Sequence, residues 1–198
     1  RAAIDAVLAA DGKRKSAQTE LDAVLAEQKT LAKNIGAFMK AGQKEEAETA
    51  KARVAELKTR SAELEELKKA IRPNTKAVFA ETIANPALRV LDIEKFAALA
   101  QAAQAPLLID NTFATPYFCR PIEFGANVVI HSTSKYLDGH AIALGGSITD
   151  GGNFNWNNGK YPQLSTPDET YHGLVYTETF GPAAYIVKAR VQLMRDLG

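Results

Sequence analysis

The hydrophobic positions of the first seventy residues recur at alternating spacings of three and four, which is the pattern of a helix with one narrow apolar face. Good helix formers dominate this part of the chain, which contains no proline. The pattern is interrupted between Met39 and Lys44, where Gly42 favours a turn. Because one narrow face buries too little surface for stability, we predict two helices packed against each other. The repeating positions are Ala17, Leu21, Val24, Gln28, Leu31, Ile35 and Phe38, then Ala47, Ala50, Val54, Leu57, Ser61 and Leu64.

Beyond residue 70, short apolar runs alternate with a helical segment. Leu91 to Gln104 has helical periodicity, and Asp92 is its expected N-cap. Continuous apolar runs separated by a helix indicate the buried parallel strands of an α/β sheet. The runs lie at 76–81, 106–110 and 127–131, with a further candidate parallel strand at 143–149. We therefore predict an α plus α/β fold, with an antiparallel two-helix coiled coil over residues 1–70 and a partial, mostly parallel sheet over residues 71–198.

Composition supports this division and limits the classes of function. All eight prolines and all but one of the aromatic residues lie after residue 72. The net charge of +1 gives no global attraction to nucleic acid. Because no run of apolar residues is long enough for a membrane span and no signal-peptide pattern opens the chain, we expect a cytoplasmic protein without membrane contact. The single cysteine fits a reducing compartment.

Several kinds of site are excluded by spacing. The sequence has neither the glycine-rich phosphate loop of NTPases nor the glycine pattern of dinucleotide binders. His131, His140 and His172 are not at metal-ligand spacing, so we expect no metal site. Cys119 lies between Phe118 and Arg120 in a proline-flanked loop, where we interpret it as a packing residue rather than a nucleophile.

One group of residues has the chemistry of a cofactor site. Ser132 and Ser134 shortly precede Lys135, and Asp110 and Thr112 follow the preceding predicted strand. Functional groups of such sheets gather at the carboxyl ends of the strands. Pyridoxal phosphate requires a lysine amine, a carboxylate at its pyridine nitrogen and hydroxyl donors at its phosphate. A lone lysine is usually a solvated surface residue, but its combination with the aspartate and the serine pair favours a pyridoxal phosphate site.

The residues from about 71 to 198 resemble the Cys/Met-metabolism family of pyridoxal-phosphate enzymes, and within it the O-acetylhomoserine sulfhydrylases. The resemblance rests on the stretches AVFAETIANP, LLIDNTFATPYFCRP, GANVVIHSTSKYLDGH and YHGLVYTETFGPAAYIVKARVQLMRDLG. It implies a large α/β domain of the PLP-dependent transferase type, assembled into tetramers. The implied reaction converts the amino acid O-acetylhomoserine and sulfide into homocysteine and acetate, as in methionine biosynthesis. The related γ-lyase and γ-synthase chemistries remain open.

The same resemblance implies a role for each candidate site residue. Lys135 would form the Schiff base with the cofactor and carry protons between substrate carbons, and Asp110 would pair with the pyridinium nitrogen. The remaining assignments are Ser132 and Ser134 at the phosphate, Asn85 near the phenolic oxygen, Thr112 beneath the ring and Glu81 in the surrounding shell.

The first part of the chain carries a different resemblance. The stretch GKRKSAQTELDAVLAEQKTLAKNIGAFMKAGQKEEAETAKARVAELK is similar to the amino-terminal arm of bacterial seryl-tRNA synthetases. In that family an antiparallel coiled coil lies against the long variable arm of the tRNA. The resemblance implies a weak contact with the phosphate backbone of tRNA, to which the lysines of this arm would contribute. A solvated, intrahelically paired face is the alternative interpretation of these charges.

Two unrelated resemblances in one chain lead to the hypothesis of a fusion, artificial or fragmentary, with its junction between Arg60 and Ile71. The sequence lacks the family's amino-terminal phosphate loop, its ring-stacking tyrosine and its carboxy-terminal substrate domain. We therefore expect weak cofactor binding, and whether the chain is an enzyme stays open. The alternatives are a tRNA-binding arm or a purely structural fusion without activity. In each case exposed sheet edges and apolar faces predict self-association.

Overall fold

A computed structural model of the protein describes residues 26–195. The chain divides into two compact units between Arg72 and Pro73. The first unit is helical, and the second contains a sheet with short helices. Within the described range, no helix is both long and apolar enough to cross a membrane.

The helical unit consists of two helices around a tight turn. Residues 26–40 form α1, and Lys44–Ala70 form α2. Gly42 adopts a φ of +76° between them, and the amide of Gln43 donates to the carbonyl of Phe38 at 3.0 Å. The Arg53 guanidinium lies 3.5 Å from the Glu27 carboxylate of α1. Because these residues lie at similar distances on either side of the turn, the helices run in opposite directions.

The predicted apolar positions of this unit are the ones least exposed to solvent. Along α2 the buried side chains recur at helical spacing, so they share one face. Along α1 the half-buried positions include Gln28, Leu31, Ile35 and Phe38, as the spacing predicts. Ala17, Leu21 and Val24 lie outside the described residues, and coiled-coil supercoiling stays a prediction. The buried residues of α2 are Ala47, Ala50, Leu57 and Leu64.

The second unit is built on a four-stranded mixed sheet with the strands in chain order. The first three strands pair in parallel, and β3 pairs with β4 antiparallel. Helix α3 (Ile93–Ala102) connects β1 to β2, as the apolar runs predict. Asp92 caps it by accepting a hydrogen bond from the Lys95 amide at 3.4 Å, which confirms the predicted N-cap. The strands are β1 (Val78–Glu81), β2 (Leu107–Asp110), β3 (Val128–Ser132) and β4 (Gly146–Asp150).

The direction of β4 corrects the expectation that it is a further parallel strand. His131 pairs with Ser147 and Ser132 with Gly146, so the chain turns back directly beside β3. A parallel neighbour requires a crossover, usually with a helix, to return the chain to the starting edge. The connection at 133–145 contains turns and bends but no helix. Loop geometry therefore makes β4 an antiparallel strand.

Short helices complete the unit and cover the sheet. Tyr161 and Trp156 lie in the core with Val128 of β3, and the Tyr161 hydroxyl donates to the Lys76 carbonyl at 2.8 Å. Burial raises the pKa of Tyr161 to about 12. Tyr185 stacks on Trp156 with ring centroids 4.7 Å apart. The helical elements are α4 (Thr115–Phe118), α5 (Pro162–Ser165), α6 (Tyr176–Phe180), α7 (Ala184–Ala189), a π-helical segment (Arg190–Met194) and 3-10 turns at Pro121–Phe124, Glu169–Tyr171 and Gly181–Ala183.

Candidate functional site

A cavity of about 560 Å³ lies at the carboxyl ends of β1, β2 and β3. Its volume lies within the range of ordinary small-molecule sites. Six of the seven predicted site residues line it, and Ser134 does not. The lining consists of Glu81, Ile83, Asn85, Asp110, Thr112, Phe113, Ser132, Lys135, Tyr136, Gly139 and Ala141.

The parallel register brings these side chains to one face of the sheet. Glu81 of β1 pairs with Asp110 of β2, and Asp110 pairs with Ile130 of β3. Side chains alternate between the two faces of a strand, so Ser132, two residues after Ile130, shares the face of Asp110. Thr112, two residues after Asp110, lines the same cavity. Strand pairing thus places two carboxylates and two hydroxyl groups around one space.

Two hydrogen bonds fix the floor of the cavity. The Thr112 amide donates to Asp110 Oδ1 at 2.9 Å, forming a tight turn directly after β2. The Thr112 hydroxyl accepts from the Ser132 amide at 2.8 Å, which joins this turn to the end of β3. The carboxylate of Asp110 and the backbone of Ser132 are therefore held by contacts that do not require a bound ligand.

Glu81 and Asn85 form the side of the cavity next to β1. The backbone amide of Asn85 donates a hydrogen bond to Glu81 Oε2 at 2.9 Å. Because this contact spans the turn after β1, it holds the loop with Asn85 beside the end of the strand. Asn85 is exposed, and its side chain borders the open space.

Lys135 projects from the loop that connects β3 to β4. The side chain is exposed to solvent and lines the cavity together with Tyr136, whose ring lies 5.6 Å from that of Phe113. The Gly139 amide donates to the Lys135 carbonyl at 3.0 Å, so the lysine begins a closed turn. The lysine thus lies on a structured loop that lines the same cavity as the strand ends.

Ser134 occupies a different position from the other candidates. Its hydroxyl accepts from the Gly145 amide at 2.8 Å and lies 3.2 Å from the Gly145 carbonyl, to which it donates. The Thr133 amide also donates to Gly145, at 3.0 Å. These contacts close the base of the 133–145 loop. In this structure Ser134 fastens the loop that carries Lys135 and does not line the cavity.

A buried polar row lies on the opposite face of the sheet. It consists of residues one register position beyond Glu81 and Asp110, and sequence reasoning missed it. Burial lowers the pKa of His131, and the negative charge of Asp110 opposes this shift. The signal in the sequence is a polar residue at the end of an apolar run or directly after it. The members of the row are Thr82, Asn111 and His131, with Ser147 beside His131 on β4.

The donor set of the cavity fits pyridoxal phosphate. It offers a primary amine at Lys135, a carboxylate at Asp110 that has one oxygen bound to a backbone amide, and a hydroxyl at Ser132. No group of three metal-binding side chains occurs within residues 26–195. The side chains that line the cavity therefore match the donor groups that pyridoxal phosphate requires.

Comparison with known proteins gives the same assignment. The sequence profile of the family described as Cys/Met metabolism PLP-dependent enzymes matches residues 38–181, which include α2 and the whole sheet. The O-acetyl-L-homoserine sulfhydrylase of Leptospira meyeri is 46% identical over 142 residues, covering 68% of this chain and 32% of the relative. The homocysteine/cysteine synthase of Saccharomyces cerevisiae is 48% identical over 137 residues, covering 68% and 31%.

A solved structure agrees with these relatives. A Campylobacter jejuni protein, described as an O-acetylhomoserine (thiol)-lyase and containing a pyridoxyl-lysine monophosphate, superposes with a TM-score of 0.64 at 38% identity. The match covers 68% of this chain and 33% of that one, so the chain spans about a third of the length of the proteins it matches. Pyridoxal phosphate is the cofactor of the family. The chain belongs to the Cys/Met metabolism family of PLP-dependent enzymes.

Proposed function

We propose that this chain carries one part of the cofactor site of an O-acetylhomoserine sulfhydrylase, the part that contains the cofactor-binding lysine. The observation that carries the proposal is the convergence of Asp110, Ser132 and Lys135 on one cavity. The names of the matched relatives, a sulfhydrylase and a homocysteine/cysteine synthase, support this reaction class. The overall change would replace the carbon–oxygen bond to acetate with a carbon–sulfur bond from sulfide, giving homocysteine and releasing acetate.

Lys135 and Asp110 supply the two groups that the chemistry requires most. When bound, pyridoxal phosphate supplies an electron-withdrawing ring that stabilises negative charge on substrate carbon atoms. Lys135 Nζ would hold the cofactor and afterwards accept and return protons at the substrate carbons. The Asp110 carboxylate would keep a proton on the ring nitrogen, because its negative charge favours the protonated form. The Thr112 amide orients this carboxylate.

The two serine hydroxyl groups have different roles: one binds the cofactor and the other stabilises the loop that carries the lysine. Ser132 lies on the cavity wall, where its hydroxyl would donate to the cofactor phosphate. Ser134 already exchanges two hydrogen bonds with Gly145. We therefore assign Ser134 to holding the lysine loop, with phosphate contact as its alternative role. Thr112 and Asn85 would contact the ring and its oxygen substituent, and Glu81 would hold the Asn85 loop.

Titration with pyridoxal phosphate tests the cofactor site. We expect the visible absorbance band of lysine-bound cofactor to appear with the wild-type chain and to be absent from Lys135→Ala. Lys58→Ala is the matched control, because Lys58 is an exposed lysine on α2 outside the cavity. An unchanged band in Lys135→Ala would contradict the proposal, and so would the absence of any band from the wild-type chain.

The products identify the reaction. With O-acetylhomoserine and sulfide, a sulfhydrylase forms homocysteine and acetate. A γ-lyase instead releases a keto acid and ammonia from its substrate, so the keto acid without homocysteine would assign the chain to lyase chemistry. Lysine-bound cofactor without either product would restrict the function of this chain to cofactor binding.

The helical unit has a second candidate function, contact with tRNA. The observation that favours it is a set of exposed lysines on both sides of the turn, whose charges would attract the phosphate backbone. In a mobility-shift assay at low salt, the chain should bind a serine tRNA more tightly than other tRNAs. Equal retention that disappears at physiological salt would leave only nonspecific electrostatic attraction. The exposed lysines are Lys29, Lys33, Lys40 and Lys44.

A further inference from the structure

Behind the cavity, a row of polar side chains crosses all four strands, buried at β1 to β3 and half-buried at Ser147 of β4. Thr82 Oγ1 donates to Asn111 Oδ1 at 2.7 Å, and Asn111 Nδ2 lies 3.2 Å from His131 Nε2. His131 Nδ1 lies 3.5 Å from the hydroxyl of Ser147. Asn111 is fully buried, and Thr82 and His131 are each 5% exposed. Thr82 and Asn111 directly follow β1 and β2, whereas His131 and Ser147 lie within β3 and β4. The row therefore joins the four strands on the face opposite the cofactor cavity.

The carbonyl of Cys119 determines the direction of these hydrogen bonds. Asn111 Nδ2 donates to this carbonyl at 2.9 Å, and a carbonyl can only accept. The side-chain nitrogen Nδ2 of Asn111 must therefore face the Cys119 carbonyl, and it also faces His131. Since this nitrogen only donates, His131 Nε2 must accept, and the ring proton must lie on Nδ1, next to Ser147. One backbone carbonyl thus fixes the Asn111 orientation and selects one neutral tautomer of His131.

Asn111 connects this row to the cavity through the backbone. It lies between Asp110, whose carboxylate faces the cavity, and Thr112, whose hydroxyl holds the Ser132 amide. The Asn111 side chain makes three hydrogen bonds: with the Thr82 hydroxyl, with the backbone carbonyl of Cys119 and with the His131 ring. A buried polar group that loses its partner is costly, so these contacts strongly favour a single backbone position for residues 110–112.

We propose that Asn111 and His131 are positioning residues that hold Asp110 and Thr112 in place for the cofactor. The role in cofactor binding rests on the proposed function, whereas the effect on the strand ends concerns the protein itself. Neither side chain lines the cavity, so both act through their neighbours. The tautomer of His131 matters for this positioning role, because a proton on Nε2 would face the donating side-chain nitrogen of Asn111.

Asn111→Asp is the most informative variant, because it preserves shape but replaces a donor with an acceptor. The new oxygen would face the Cys119 carbonyl and His131 Nε2, so His131 must move its proton to Nε2 or rotate. In the cofactor-free protein we expect about a tenfold loss of hydrogen-exchange protection at the Thr112 and Ser132 amides. Nitrogen NMR of the His131 ring should show that the Nδ1–H tautomer is lost. The affinity for pyridoxal phosphate should also fall about tenfold.

Asn153→Asp is the matched control. Asn153 also donates to a backbone carbonyl, that of Ala126, and accepts from Asn127, but it lies outside the cofactor cavity. Its substitution should leave the Thr112 and Ser132 amides and the His131 tautomer unchanged. Equal losses of protection in both variants would overturn the proposal, because the effect would then be general destabilisation.

Thr82 provides a second test if Asn111→Asp does not fold. Thr82→Val removes only the hydroxyl that donates to Asn111, and Thr82→Ser retains it. We expect Thr82→Val to reduce protection of the Thr112 amide and Thr82→Ser to restore it; equal protection in the two variants would overturn the proposal. If the wild-type chain shows no lysine-bound cofactor, the proposed function fails, while these exchange measurements still decide the positioning role.

Discussion

Asp110 Oδ1 accepts a hydrogen bond from the Thr112 amide at 2.9 Å, which leaves the other carboxylate oxygen available to a ligand in the cavity. The turn after β2 therefore orients the charged group before any cofactor binds. This arrangement separates the structural role of the carboxylate from its electrostatic role, because one oxygen atom is enough for the turn.

Asp110→Asn should weaken cofactor binding without disturbing the turn. The amide oxygen of asparagine can still accept from Thr112, but the negative charge that stabilises a protonated ring nitrogen is lost. We expect the affinity for pyridoxal phosphate to fall about tenfold to a hundredfold, which corresponds to the loss of one charge-assisted hydrogen bond. A titration measures the affinity, and exchange protection of the Thr112 amide is the control. Unchanged affinity would contradict the role of the charge.

Ser132→Ala and Ser134→Ala should have different effects. Ser134→Ala removes both hydrogen bonds to Gly145, so the Gly145 amide should lose exchange protection and the lysine loop should open more often. Ser132→Ala should leave that amide protected but weaken the binding of pyridoxal phosphate more than the binding of pyridoxal, which lacks the phosphate. Equal effects on the two ligands would remove Ser132 from the phosphate site.

Asp168 should make stability depend on pH below about pH 4. Its hydrogen bonds with Lys188 and Thr170 lower its pKa to about 2. Since the unfolded carboxylate titrates near pH 3.9, the unfolded state binds the proton first as the pH falls. The contribution of Asp168 is therefore complete above about pH 4 and is lost as the pH falls towards 2.

Denaturation by urea between pH 2 and pH 7 measures this dependence. Asp168→Asn should be less stable than wild type at neutral pH and show a smaller decrease in the free energy of unfolding across that acidic window. Parallel pH profiles of the two proteins would show that the Lys188 contact makes no net contribution.

Gly125→Ala should destabilise the sheet unit through a close contact with α3. Gly125 has a φ of +97°, and an added Cβ would lie 2.9 Å from the Cβ of Ala97. Gly159→Ala is the matched control, since Gly159 has a φ of +83° but no atom within 4 Å of an added Cβ. We expect Gly125→Ala to cost about 1–3 kcal/mol more than the control, the typical penalty of overpacking. Urea denaturation measures both values, and equal costs would contradict the contact.

Local sequence patterns predicted much of this architecture because their information lies within a few residues. The turn at Gly42, the Asp92 cap and the positions of the strands follow from spacing and from the preferences of individual residue types. The predicted convergence of Asp110 and Lys135 depends only on strand order and on the rule that parallel strands end at one edge.

The remaining features depend on contacts between distant parts of the chain. The direction of β4 is set by a loop without a helix, and apolar runs do not encode strand direction. Ser134 bonds to Gly145, which lies eleven residues later, so its spacing from Lys135 does not reveal this contact. The Asn111–His131 pair was missed because each residue alone resembles an ordinary polar residue at a strand end.

Borohydride trapping tests the central claim most directly. Incubation of the chain with pyridoxal phosphate, reduction and peptide mapping by mass spectrometry should locate a pyridoxyl group on Lys135, the lysine that lines the cavity with Asp110. We predict that Asp110→Asn reduces this modification and that Lys58→Ala leaves it unchanged. Labelling spread over exposed lysines such as Lys58, with no preference for Lys135, would contradict the account.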